Sequence, residues 1–185
     1  MHDFKEINPA QINDNFIKAI GSDWVLITAG DHVKQNTMTA SWGGVGFMWN
    51  YPMALVVIRP QRYTFEFTEQ CDKLTLSFLP EEYRKALNYC GTHSGRDEDK
   101  ISNAGLSVAF TDEDTPAIAQ ARLVLECRKL YTDMMKGENF IDKDIIDRWY
   151  SAGDFHKIYI LQITNAYIKE WYEQIRIFQG CRHRT

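Results

Sequence analysis

Residues 24–41 read WVLITAGDHVKQNTMTAS, and the fold turns on how this stretch is understood. It contains two short runs, WVLITAG (24–30) and VKQNTMTAS (33–41), rich in β-branched residues and separated by Asp31 and His32 after a glycine. Two strands and a turn have this composition. The pattern continues outward in ALVVIRP (54–60) and LTLSFL (74–79). From Ala121 to Tyr131, Ala121, Leu123, Leu125 and Cys127 alternate with Arg122, Glu126 and Arg128, and Lys157 to Thr164 supplies a last strand. These strands are not regularly interleaved with helices. The expected fold is therefore mainly β, an antiparallel barrel with helices added at its ends, rather than a doubly wound parallel sheet.

Four helices are expected. Asn8 and Pro9 read as an N-cap and first helical position, with Ile12, Phe16 and Ile20 on one face. Pro80 to Cys90 begins with Pro, carries Glu81 and Glu82 in its first turn and stops at Gly91, with Tyr83, Ala86, Leu87 and Cys90 facing inward. Shorter helices are expected from about Asp97 to Ala104 and from about Asp142 to Tyr150.

A chain of 185 residues with 44% hydrophobic composition can bury an ordinary core, and one domain is expected over residues 1–185. The net charge of −4 argues against a general nucleic-acid binder, which needs a surplus of Lys and Arg. The opening MHDFKEINPAQ lacks the basic and apolar regions of a secretion signal, and no stretch is apolar for long enough to span a bilayer. A cytoplasmic protein is expected. Cys71, Cys90, Cys127 and Cys181 form no CxxC and share no zinc-like spacing with the histidines, so they read as reduced thiols and no metal site is expected. No GxGxxG opens a helix and there is no P-loop.

Three segments carry chemistry. Asn36 to Gly44, NTMTASWGG, lines up hydroxyls and permissive backbone beside Met38 and Trp42, which suits an aromatic ring; an edge strand with a Gly-rich turn has the same composition. Arg59 to Thr64, RPQRYT, ends an apolar strand with two arginines, a geometry for carboxylate or phosphate, although surface arginines with acidic partners would look alike. Gly91 to Lys100, GTHSGRDEDK, places Ser94, Arg96 and Lys100 at a helix junction, with Asp97, Glu98 and Asp99 available to make it only a solvated loop. Together they describe a heterocycle site with a phosphate pocket.

The blocks NTMTASWGGVGFMW, RPQRYTFEF, LTLSFLPEEYRKAL and GTHSGRDEDK, in this order, resemble the flavin reductase-like FMN-binding split-barrel family, its flavoredoxin-like members in particular. The similarity runs from about residue 20 to about 165 and includes ECRKLY and DFHKIYILQIT. It implies a split barrel with FMN as cofactor. Asn36, Thr37, Met38, Thr39, Ala40, Ser41 and Trp42 would hold the isoalloxazine and ribityl chain. Arg59, Arg62, Tyr63 and Thr64 follow, with Ser77, Phe78 and Leu79 beside the flavin. Ser94, Arg96 and Lys100 would complete the phosphate pocket, and Tyr131 and His156 are candidates for the flavin face. Hydroxyls and N–H groups of the NTMTAS strand would stabilise charge on reduced flavin. Hydride transfer needs no catalytic acid or base, and none is assigned.

The resemblance also implies a homodimer whose subunits share each pocket. Its activity would be that of an oxidoreductase taking electrons from NADH or NADPH, with FMN as bound cofactor or exchangeable substrate, a flavoredoxin-type carrier with a protein partner, or a non-catalytic flavin- or haem-binding module. The tail KEWYEQIRIFQGCRHRT, with Trp171, Ile175 and Phe178 at helical spacing, goes beyond the resemblance as an added contact helix or a loose end, and no function attaches to Cys181 or His183.

Overall fold

The computed structural model describes Met1, residues 3–170 and Tyr172, so the expectations for Trp171, Ile175, Phe178, Cys181 and His183 lie outside the described residues. The strands are β1 (Phe4–Ile7), β2 (Val25–Gly30), β3 (Gln35–Ala40), β4 (Gly43–Met48), β5 (Tyr51–Ile58), β6 (Lys73–Phe78), β7 (Val108–Phe110), β8 (Pro116–Ile118), β9 (Leu123–Met134) and β10 (Lys157–Lys169). All but β7 and β8 belong to one antiparallel sheet in the order β3-β2-β6-β9-β10-β5-β4, with β1 also on β10. This is the expected split barrel. The last strand runs five residues past the expected Thr164, because its second half still has partners: Ala166 to Lys169 pair with β1, and Ala166 to Ile168 also with β9.

The split lies between β3 and β4. They are neighbours in the chain yet stand at opposite ends of the sheet order, joined only by Ser41 and Trp42. Gly43 makes the crossing possible: its φ is 150°, and a Cβ there would sit 2.5 Å from the Leu55 carbonyl oxygen. The sequence reading took the glycines for the end of a strand, whereas they begin β4, which pairs with β5 through a two-residue turn. Trp49 and Asn50 in that turn both have positive φ, the conformation that matches hairpin twist.

Leu74, Leu76, Leu125, Cys127, Tyr159 and Leu161 are fully buried in the core between the curved faces. The alternation read in β9 breaks down at Glu126, which is completely buried. Its carboxylate accepts hydrogen bonds from the hydroxyls of Thr111, Thr115 and Tyr167. The β7–β8 hairpin, which carries or flanks those threonines, covers what would otherwise be a solvent face, and its polar contacts offset the burial of the carboxylate.

Among the described residues five helices accompany the sheet: α1 (Phe16–Gly21), α2 (Tyr63–Gln70), α3 (Arg84–Thr92), α4 (Lys100–Asn103) and α5 (Asp144–Trp149). The opening helix expected through Ile12, Phe16 and Ile20 is in fact two pieces. Asn8 caps a 3-10 turn over Pro9–Gln11, and Asn15 caps α1 by accepting from the Lys18 N–H at 3.1 Å. Asparagine side chains that bond to nearby backbone interrupt a helix as readily as they start one. Helix α2 was not anticipated. Its sequence alternates like a strand, but it packs on β2 and β3 with Phe67 in the core. Ala86, Leu87 and Cys90 of α3 are buried as the spacing predicts. No helix among the described residues is long and apolar enough to cross a membrane.

Candidate cofactor site

Two cavities lie along β3, one at its start and one at its end. The smaller, about 220 Å³, is lined by Met38, Thr39, Ala40, Ser41 and Trp42 from the crossing strand, Val57 and Arg59 from the end of β5, and Arg62, Trp149 and His156. Eight of these ten residues are candidates from sequence, drawn together from three separate segments. The larger, about 640 Å³, runs between the 33–36 segment and the 95–108 segment and includes Asn36, Arg96 and Lys100.

The candidates divide by what they touch. Asn36 is buried and donates to the Thr64 hydroxyl at 2.8 Å, and Thr37 bonds to Thr28 at 2.9 Å inside the barrel. These three fix the strand. Thr39 donates to the Leu87 carbonyl and so ties β3 to α3, while the Ser41 side chain makes no hydrogen bond among the described residues. Gly95 lies against Asn36 so closely that a Cβ would sit 2.2 Å from its Oδ1. Only glycine lets the loop approach the strand there.

The four cations behave differently. Arg59 pairs with Asp154 and donates to the Trp149 carbonyl at 2.8 Å. Arg96 pairs with Glu66, donates to the Gln61 carbonyl at 3.2 Å and lies 4.8 Å over the Tyr63 ring. Both are bound within the chain. Arg62, by contrast, has a buried Nη2 with no hydrogen-bond partner, and burial lowers its pKa. Lys100 is 3% exposed and donates only to the Cys90 and His93 carbonyls, each at 3.2 Å. Burial, and then the charge of Arg62, brings its pKa down to about 8. Two buried cations that repel each other, one with an orphaned donor, form an incomplete electrostatic arrangement that a dianion such as a phosphate monoester would complete.

Trp149 is the residue the sequence reading missed most clearly. It closes α5, and its ring meets Trp42 edge-on with centroids 5.1 Å apart. The only sequence signal was the Trp-Tyr pair before Ser-Ala-Gly, followed by Asp154 two residues before His156. His156 stands 5.1 Å from Trp42, and burial together with Arg59 pushes its pKa down to about 4.

Other candidates lie elsewhere in the chain. Ser77 accepts from the Ile118 N–H inside the barrel, and Phe78 packs edge-on against Phe16. Leu79 lines a separate cavity with Arg84 and Arg122. Ser94 accepts from the Arg96 N–H in its turn, and Tyr131 is 47% exposed on β9, opposite Ile160. None of these five lines either cavity: Ser77 and Phe78 are buried in β6, Leu79 follows that strand, Ser94 sits in the loop just before the cavity-lining Gly95, and Tyr131 is on β9.

The antiparallel barrel thus carries an aromatic-walled cavity at its split, lined also by Arg62, and a second cavity lined by Lys100. The family model described as "Flavin reductase like domain" matches residues 17–179, and the chain belongs to that family. The match extends about fourteen residues beyond the sequence blocks quoted above. An uncharacterized protein of Archaeoglobus fulgidus is 30% identical over 104 residues, 56% of this chain and 58% of that protein, so the alignment spans little more than half of the curated relative. Among solved structures, flavoredoxin from Methanosarcina acetivorans is 25% identical with a TM-score of 0.63, covering 86% of this chain and 75% of that one. An FMN-binding protein from Thermus thermophilus has a TM-score of 0.65 at 18% identity, covering 86% and 77%. At that identity the likeness establishes the fold.

Proposed function

We propose that this chain holds one FMN, with its ring along Met38–Trp42 and its phosphate on Arg62 and Lys100, and works as an NAD(P)H-dependent flavin oxidoreductase. The orphaned Nη2 of Arg62 beside buried Lys100 carries this reading. Neither cation makes an ion pair among the described residues, whereas a surface arginine such as Arg96 does. Bound FMN would supply the redox chemistry. The chain's own work is placement: Trp42 and Met38 offer flat and polarisable surface, the Ser41 hydroxyl is free to donate, and the segment carrying Trp149 and His156 limits access of water.

Residues 1–185 make one such domain, and it acts as a homodimer. Strand β4 supports this: it is a sheet edge whose outward positions Gly44 and Gly46 leave a flat floor, next to Phe47, which is 70% exposed, and Trp49, which is 52% exposed. An apolar edge of this kind invites pairing. Light scattering after gel filtration would give twice the chain mass; a monomer would remove this element.

The test of the main reading is an anaerobic absorbance titration of protein reconstituted with FMN. A flavin spectrum that survives gel filtration and bleaches on adding NADH or NADPH is the expected result. A retained spectrum that bleaches only with a protein donor would favour an electron carrier. No FMN retention at micromolar concentration would refute the cofactor assignment.

A further inference from the structure

Between β9 and β10 the chain makes an excursion that ends in a buried pair, Tyr150 and His156. The His156 Nδ1 lies 2.8 Å from the Tyr150 hydroxyl. The ring is neutral at neutral pH and carries a single proton. Which nitrogen holds it follows from the neighbours. The Tyr150 hydroxyl has one proton to give and two possible acceptors, His156 Nδ1 at 2.8 Å and the Met135 thioether at 3.4 Å. A thioether is a weak acceptor and an unprotonated imidazole nitrogen a strong one. With the imidazole proton on Nε2 the hydroxyl donates to Nδ1; with it on Nδ1 that N–H would donate to the phenol oxygen and leave the hydroxyl only the thioether, so the Nε2–H form gives the hydroxyl proton the stronger acceptor.

Tyr150 is well placed to enforce this. It is 4% exposed, its ring stacks on Phe155 at 4.9 Å, and burial keeps its hydroxyl protonated. Nε2 makes no hydrogen bond among the described residues, and His156 lines the smaller cavity with Trp42, Trp149 and Val57. The nearest cation in that wall, Arg59, is already neutralised by Asp154. At the aromatic end of this cavity, between Trp42 and Trp149, a neutral imidazole N–H suits a neutral acceptor atom, whereas the unpaired Arg62 on the same cavity suits an anion.

We propose that Tyr150 is a positioning residue that holds His156 as its Nε2–H tautomer, presenting a neutral donor to the carbonyl oxygen of a planar ligand beside Trp42. The ligand's role as the flavin's reaction partner rests on the function proposed above; the tautomer does not. The site thus selects for a flat molecule bearing a carbonyl or carboxamide oxygen.

The experiment is a long-range proton–nitrogen correlation spectrum of uniformly ¹⁵N-labelled full-length protein at neutral pH, for the wild type and Tyr150→Phe. The wild type should show His156 protonated at Nε2 and bare at Nδ1, and Tyr150→Phe should show a mixture of tautomers. Nicotinamide serves as the carbonyl probe and should shift the wild-type Nε2–H signal. Its binding should weaken about tenfold in Tyr150→Phe while FMN affinity stays within about twofold, as expected for loss of one neutral hydrogen bond. A wild-type ring protonated at Nδ1, or a Tyr150→Phe spectrum unchanged from wild type, overturns the proposal. An equal loss of nicotinamide and FMN binding in Tyr150→Phe also overturns it, since that would mean the cavity had collapsed. If the wild type binds no FMN, the flavin reading fails, while the His156 signals still decide the tautomer and its response to nicotinamide.

Discussion

Arg59 and Arg62 stand three residues apart at the end of the same strand, and their surroundings are opposite. Arg59 is tied to Asp154 and to the Trp149 carbonyl, and so fastens the excursion after β9 to the barrel. Arg62 points a buried guanidinium nitrogen at nothing, next to Lys100, which meets only carbonyl oxygens. The same contrast divides Arg96, which is paired with Glu66, from Lys100, four residues later. A cation with a carboxylate in its own chain is a structural tie. One kept from solvent without such a partner is poised for an anion from outside, because an uncompensated buried charge is costly and an anion relieves that cost.

The sharpest way to break this contrast is to remove the uncompensated cations. Arg62→Ala and Lys100→Ala should each weaken FMN binding by on the order of 1.5–3 kcal/mol, roughly ten- to a hundredfold, in a fluorescence titration. Unchanged affinity in both would mean that the phosphate lies elsewhere.

A pH series probes the same pair without mutation. The folded pKa of Lys100, about 8, lies below its ordinary 10.5, so between these values the unfolded chain holds the extra proton and stability of the ligand-free protein should rise with pH. FMN affinity should fall over the same window as Lys100 loses its charge. Lys100→Met, followed by urea unfolding from pH 7 to pH 10, should flatten the stability curve. At the acid end His156 has the same relation of pKa values, about 4 against 6.5, so stability should fall as the pH drops from about 6.5 to about 4, and His156→Gln should reduce that loss.

The structural ties should respond in stability rather than affinity. Asp154→Ala leaves Arg59 without its partner and should cost about 1–3 kcal/mol in urea unfolding, with faster amide exchange across residues 144–156. The smallest effect is expected at Arg96, whose pair with Glu66 is 42% and 50% exposed. Arg96→Ala should change stability by about 0.5 kcal/mol or less, the usual worth of an exposed pair. A large loss of FMN affinity in Arg96→Ala would show that its guanidinium leaves Glu66 for the phosphate, and the division drawn here would then fail.

Particular elements show how much could be read in advance. Strands β2, β3, β5, β6, β9 and β10 were legible because each is a short β-branched run bounded by turn residues. Helix α2 was not, because YTFEFTEQ has the alternation of a strand, and only its packing on β2 and β3 makes it helical. Strand β4 was hidden by its glycines, whose value is the crossing near Leu55, a contact with no local signature. In the site, Met38 to Trp42, Arg59, Arg62 and His156, singled out from the sequence as candidates for the flavin, line one cavity in the fold. Trp149 and Tyr150 were passed over as the end of a short helix.

The sequence by itself determined the antiparallel class, the family and the residue types that meet at the barrel's split, since periodicity and motif order are properties of the chain taken locally. Only the tertiary structure decided which of four similar cations keeps a free charge, that Glu126 is buried under a hairpin, and that Tyr150 faces His156. Those outcomes depend on partners distant in sequence: Arg59 finds Asp154 95 residues away, and nothing near Arg62 in sequence shows that no partner reaches it. Charge pairing and desolvation are settled by what lies within a few ångströms in space, and that neighbourhood exists only once the chain has folded.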